Sequence, residues 1–145
     1  MKKLEHITDI TAPAEEVWAV LTDTGSYADW NPFIRKLEGP WERGARLALT
    51  IKAGTRHMSF RPTVLAYEEG RLIRWRGRLL LPGIVDGEHE LRVKTLDDGT
   101  SRFTQHETFR GLLVPFLRRT LEDTDRGFAE MNEALRQRVL ARLSR

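Results

Sequence analysis

No cysteine occurs among the 145 residues, so disulfides, thiolate metal sites and a cysteine nucleophile are excluded. The absence also fits a reducing compartment. No apolar run approaches the roughly 20 residues that a membrane span needs. The longest, Leu79 to Pro82, is too short even for a signal-peptide core and lies mid-chain, while Met1-Lys2-Lys3-Leu4 runs straight into polar alternation. A cytoplasmic protein with no integral membrane association is expected. Long runs of like charge are also missing, which argues against a disordered tail. The 24 Lys and Arg stand dispersed among 21 Asp and Glu, and a net charge of +3 is ordinary for solubility. Nucleic acid is not indicated, because such binding needs aromatics interleaved with the basic residues on one face. There is no Gly-rich phosphate cradle, no nucleophile elbow and no paired-carboxylate metal motif, so no cofactor is expected. Ser26, Ser59, Ser101 and Ser144 lie in no nucleophile context. His6, His57 and His106 lack helical His-x-x-x-His spacing and a cysteine partner, which leaves no zinc set.

What is present is one domain's worth of chain, long enough to bury roughly 68–70% of its unfolded surface without a staple. Residues 5–12 are rich in β-branched types and read as a first strand. Pro13 then suits a helix start, and Ala14 to Leu21 carries Val17, Val20 and Leu21 at helical spacing. A second short helix is expected over Ser26 to Trp30, closed by Asn31-Pro32. Strands follow at Phe33–Glu38, Ala45–Lys52, Met58–Tyr67, Leu72–Leu80, Gly87–Leu96 and Ser101–Arg110. Asp97-Asp98-Gly99-Thr100 marks a hairpin between the last two. The chain closes with an amphipathic helix over about Val114 to Leu143, whose apolar stripe runs Leu117, Leu121, Phe128, Asn132, Leu135 and Val139. Gly127 interrupts it at a cost of roughly 1 kcal/mol against Ala, which implies a packing reason.

This order, with several local motifs, resembles the START-like (SRPBCC) superfamily, often labelled polyketide cyclase/dehydrase-like. The carrying residues are Ile10-Thr11-Ala12-Pro13-Ala14-Glu15-Glu16-Val17-Trp18, Tyr27-Ala28-Asp29-Trp30-Asn31-Pro32, Trp41-Glu42-Arg43-Gly44, Leu72-Ile73-Arg74-Trp75 and Glu107-Thr108-Phe109-Arg110-Gly111. The pairs Gly127-Phe128 and Met131-Asn132 add to them. The resemblance covers nearly the whole chain and implies an α+β helix-grip fold. In it a curved antiparallel sheet of six to seven strands wraps the long C-terminal helix, with two short helices after the first strand and a hydrophobic cavity between sheet and helix. It does not settle function, because the superfamily holds polyketide cyclases and aromatases, lipid-transfer domains, plant hormone receptors and co-chaperone domains.

The hairpin locates the candidate chemistry. A register pairing Phe103 with Val93, Gln105 with Leu91 and Glu107 with His89 keeps both apolar sets on one face. It sets His89 opposite Glu107 on the concave side, where a carboxylate beside an imidazole can anchor a ligand or move a proton. The plainer reading is an inward polar pair that satisfies itself. Leu49, Phe60, Val64, Trp75, Leu91, Phe103, Phe128 and Leu135 are candidates for the cavity lining, with Gln105 and Asn132 as polar members; each is equally compatible with ordinary core. Tyr27 and Asn31 lie near expected pocket rims. The row Arg74, Arg76, Arg78 is expected on the convex, solvated side. The leading expectation is a monomer or homodimer that binds a small hydrophobic molecule such as a lipid, isoprenoid, aromatic or polyketide. A cyclase-like enzyme using the same pocket and a protein-interaction module are the alternatives.

Overall fold

The computed structural model describes residues 1–79 and 81–145. Along the chain come β1 (Lys2–Ile10), α1 (Ala14–Thr22), α2 (Tyr27–Trp30), β2 (Ile34–Glu38), β3 (Ala48–Ala53), β4 (Arg56–Phe60), β5 (Thr63–Glu68), β6 (Leu72–Leu79), β7 (Val85–Thr95), β8 (Ser101–Arg110) and α3 (Arg118–Leu143). The strands form one antiparallel run, β1-β8-β7-β6-β5, and a second, β2-β3-β4. Residues 44–47 bind the two together along the outer edge of β5. Gly44 N–H donates to the Val64 carbonyl, Val64 N–H to that of Ala45 and Leu47 N–H to that of Pro62, each at 2.8 Å. The result is a curved antiparallel wall with α3 lying across its concave side against β1, β3 and α1, the helix-grip arrangement.

Period-two alternation gives the wall an apolar inner face. Ile73, Leu91 and Phe103 are fully buried there, against Phe128, Met131, Leu135 and Val139 of α3. The β7–β8 register is the expected one, with Val93 opposite Phe103, Leu91 opposite Gln105 and His89 opposite Glu107. Its turn is closed locally: the Asp98 carboxylate accepts the Thr100 N–H at 3.0 Å, and Gly99 takes φ 83°.

Three elements differ from the sequence expectation. The strand over 58–67 is two, β4 and β5, because Arg61-Pro62 breaks it where proline has no N–H to give the ladder. Residues 45–47 leave β3 and pair with β5 instead, as the Arg46–Thr63 bridge shows. The final helix starts later than expected, at Arg118, after a 3₁₀ turn over Val114–Phe116. The segment before it is committed elsewhere: Leu112 N–H donates to the Gly83 carbonyl at 3.0 Å and Leu113 N–H to that of Ile84 at 3.1 Å. Gly111, at φ 135°, allows this, since a Cβ there would collide with the Ile84 carbonyl. The expected last residue of β6, Leu80, lies outside the described residues.

On the convex side Arg74, Arg76 and Arg78 of β6 stand opposite Glu90, Glu88 and Asp86 of β7. Arg74 meets Glu90 at 2.7 Å and Arg92 approaches the same oxygen at 3.3 Å. This row is charge-paired protection of the sheet. Burial alone would raise the Glu90 carboxyl, but hydrogen bonds and charge from Arg74 and Arg92 outweigh it and hold it below the usual range.

Two outcomes follow. Glu90 contributes stability that is fully present above its unfolded value, about 4.3, and lost as pH falls through the depressed folded one; Glu90→Gln should flatten that acid limb in urea titrations. In Gly127→Ala the added Cβ would press into the Phe33 ring, itself buried and edge-on to Phe128 at 5.3 Å. Overpacking of about 1–3 kcal/mol outweighs the roughly 1 kcal/mol gained in helix propensity. A net loss of stability is expected, and a gain would show that the ring yields freely.

Candidate functional site

The concave face is organised in cross-strand rows. Ile73, Leu91 and Gln105 form one; Trp75, His89 and Glu107 form the next; Gly77, Gly87 and Phe109 form the one beyond. Two adjacent positions of that last row carry no side chain. The space over Gly77 opens into a mostly apolar cavity of about 170 Å³. Phe33, Leu49, Ile51, Met58 and Phe60 wall it from β2–β4 and the segment before β2, and Leu117, Leu121 and Thr124 close it from α3 and the turn leading into that helix. Neither Gly77 nor Gly87 takes a positive φ, so what matters at both is the missing volume. A Cβ on Gly77 would meet nothing, whereas one on Gly87 would collide with Glu107 Oε2. Gly87 is therefore the seat of that carboxylate.

His89 is 3% exposed. Its ring stacks on Trp75 at 4.8 Å and meets Phe128 edge-on at 5.0 Å. Nδ1 lies 3.0 Å from Glu107 Oε1 and Nε2 lies 2.9 Å from Gln105 Oε1. Gln105 Nε2 donates to Asn132 Oδ1 at 2.9 Å, and Asn132 Nδ2 donates to the His6 carbonyl and to Thr8 Oγ1, both at 3.1 Å. One end of this chain sets its direction. The His6 carbonyl can only accept, so Asn132 presents its NH₂ there and its oxygen to Gln105. Gln105 in turn presents its NH₂ to Asn132 and its oxygen to His89, so Nε2 must carry a proton. Nδ1 then faces Glu107 across a contact that a bare nitrogen and a bare carboxylate would make repulsive. A proton on either partner makes this 3.0 Å contact a hydrogen bond. Oε2 lies over Gly87 at the cavity wall.

Of the residues singled out from sequence, Leu49, Phe60, Trp75, His89 and Glu107 line the cavity. Val64, Leu91, Phe103, Phe128 and Leu135 are core behind it, and Gln105 and Asn132 are the buried relay that orients His89. Tyr27 is buried and donates to the Leu21 carbonyl. Asn31 Oδ1 accepts the N–H groups of Phe33 and Ile34 at 3.0 and 2.8 Å, so it turns the chain into β2. Neither lines the cavity. Sequence reading passed over Gly77 and Gly87, whose signal was a glycine on the inward parity of each of two paired strands. It also passed over Phe33, Ile51 and Met58. Among the described residues no group of three His, Asp or Glu is placed to hold a metal, and no helix is long and apolar enough to cross a membrane.

Fold and site together define a helix-grip protein with an apolar cavity and one buried acid–imidazole pair in its wall. The chain belongs to the family described as polyketide cyclase/dehydrase and lipid transport, whose model matches residues 1–145. Solved structures of the same fold include the Zhui aromatase/cyclase from Streptomyces sp. R1128, at 22% identity and TM-score 0.78, covering 98% of this chain and 95% of that one. A START superfamily protein from Mycobacterium smegmatis is 18% identical with TM-score 0.71, covering 96% and 97%. Norcoclaurine synthase from Thalictrum flavum is 18% identical with TM-score 0.71, covering 97% and 95%. Among curated proteins none matches the chain.

Replacing Asn132 by Leu strands the Gln105 amide and the His6 carbonyl, at about 1–3 kcal/mol for each group left unpaired. Urea denaturation should show that loss, and nitrogen NMR of the wild-type protein should find His89 Nε2 protonated. An unchanged midpoint in the variant would show that the relay does not hold the site together.

Proposed function

We propose that this protein binds a small, largely apolar molecule bearing one hydroxyl or amine, and seats that group on Glu107. The observation that carries the proposal is the coincidence of two features: a cavity left open by the absent side chain at Gly77, and a single carboxylate at its wall, seated over Gly87 and backed by His89. The family, described as polyketide cyclase/dehydrase and lipid transport, supports it. An apolar void of about 150 Å³ accepts a benzene-sized guest, so this one suits one or two rings or a short chain, with longer parts leaving through the mouth. Burial of apolar ligand surface contributes about 25 cal/mol per Å² before the costs of association. Glu107 supplies orientation through a charge-assisted hydrogen bond.

The His89–Glu107 contact at the cavity wall favours a second reading, in which the pair moves a proton to or from the bound molecule. Deuterium uptake at the acidic carbon of a cyclic 1,3-diketone tests it. Uptake faster than in buffer, and lost in His89→Phe, supports proton transfer; uptake at the buffer rate leaves binding alone.

For binding itself the probes are 2-naphthol and naphthalene, which differ by one hydroxyl. A hundredfold excess of 2-naphthol over its Kd should stabilise the protein by about 2.7 kcal/mol, roughly 5–10 °C in Tm. Glu107→Gln should weaken 2-naphthol by about tenfold or more and leave naphthalene unchanged. Gly77→Leu, whose Cβ meets nothing, should fill the cavity and abolish both without loss of stability. Tight binding that survives Gly77→Leu would place the ligand elsewhere.

A further inference from the structure

We propose that the cavity mouth is a docking face for an anionic lipid bilayer, an apolar lip set in an arginine collar. The proposal goes beyond the ligand reading and stands without it. Leu79, Leu81, Leu112, Leu113 and Phe116 are 40–80% exposed, though large apolar side chains are normally covered. They come from two segments, the end of β6 with the loop after it and the stretch before α3. The Leu112–Gly83 and Leu113–Ile84 backbone hydrogen bonds stitch these segments side by side. Leu79 also lines the cavity, as does Leu117 next to Phe116, so the lip borders it.

The charge around the lip is basic. Arg78 precedes Leu79, while Arg110 and the pair Arg118-Arg119 bracket the other segment. Lys2 and Lys3 share a groove with Gly111 and Pro115, and Arg56 stands at the mouth from the β3–β4 hairpin. Arg78 and Arg118 are themselves paired, with Asp86 at 3.5 Å and Glu122 at 3.0 Å, and Glu5 shares the Lys2–Lys3 groove, so the excess positive charge at the lip rests on Lys2, Lys3, Arg56, Arg110 and Arg119. The opposite end of the sheet carries Asp97 and Asp98 instead. Protruding aliphatic and aromatic side chains flanked by arginine and lysine suit the boundary between acyl chains and anionic headgroups. The lip side chains offer no hydrogen-bonding groups with which to read a specific protein surface.

The test is cosedimentation with phosphatidylcholine vesicles, with and without phosphatidylserine. The full chain should bind the phosphatidylserine vesicles, and high salt should release it by shortening the Debye length from about 10 to about 3 Å. Phe116→Asp and Leu112→Asp should each weaken binding about tenfold or more, with the fold intact by circular dichroism. Ile7→Asp, at an exposed apolar position away from the lip, should bind as the wild type does. Wild-type protein that ignores both vesicle types, or Phe116→Asp that binds undiminished, overturns the proposal. So does a wild-type dimer, dissolved by Phe116→Asp, that does not bind vesicles, since the lip is then a self-association surface. 2-Naphthol binding separates the two proposals. Its retention without vesicle binding removes only the docking face, and vesicle binding without 2-naphthol binding removes only the ligand reading.

Discussion

A straight helix of 26 residues cannot lie flush on a curved sheet, and every feature of this molecule follows from how that mismatch is filled. Toward the β7–β8 turn it is filled by large side chains. Phe103, Phe128 and Leu135 are fully buried there and leave no room. Toward the other end the sheet presents Gly77 and Gly87 side by side, the volumes no longer match, and the gap persists as a cavity. Interiors pack to near-crystalline density, so an apolar gap of this size has a specific origin, here the missing side chain at Gly77 beside a Gly87 whose place the Glu107 carboxylate takes.

The polar chain from His6 to Glu107 lies at the boundary between those halves. Burying the three polar side chains of His89, Gln105 and Asn132 in an apolar core is costly unless each is hydrogen-bonded. The network meets that condition by running from a backbone carbonyl on β1 through α3 to the sheet. It therefore ties helix to wall at the place where apolar packing gives way to the cavity. It also sets the orientation of His89, between Trp75 and Phe128, and so fixes which ring nitrogen faces Glu107.

The hairpin register around His89 and Glu107 was legible because it is local. Alternating apolar residues and a turn with glycine at positive φ determine it without reference to the rest of the chain. The same alternation put the arginine row outside, but not its glutamate partners, because pairing across β6 and β7 depends on a loop whose length the pattern does not define. The break at Arg61-Pro62 carried its own signal, a proline that cannot donate to a ladder. Helical spacing ran on through Val114–Leu117 although those residues turn separately, because the preceding stretch is held to the β6–β7 loop by contacts invisible in periodicity.

By itself the sequence determined the element order apart from the break between β4 and β5, the inward and outward faces, the apolar stripe of the last helix and the His89–Glu107 juxtaposition. Each rests on period, turn chemistry or spacing along the chain. Tertiary structure alone decided that Leu49, Phe60 and Trp75 border open space while Leu91, Phe103 and Phe128 do not. It alone made Gln105 and Asn132 a relay with a direction, and gathered five exposed apolar side chains into one lip. The physical reason is that hydrophobicity marks a residue for burial, but whether it faces a neighbour or a void depends on volumes brought together from distant parts of the chain.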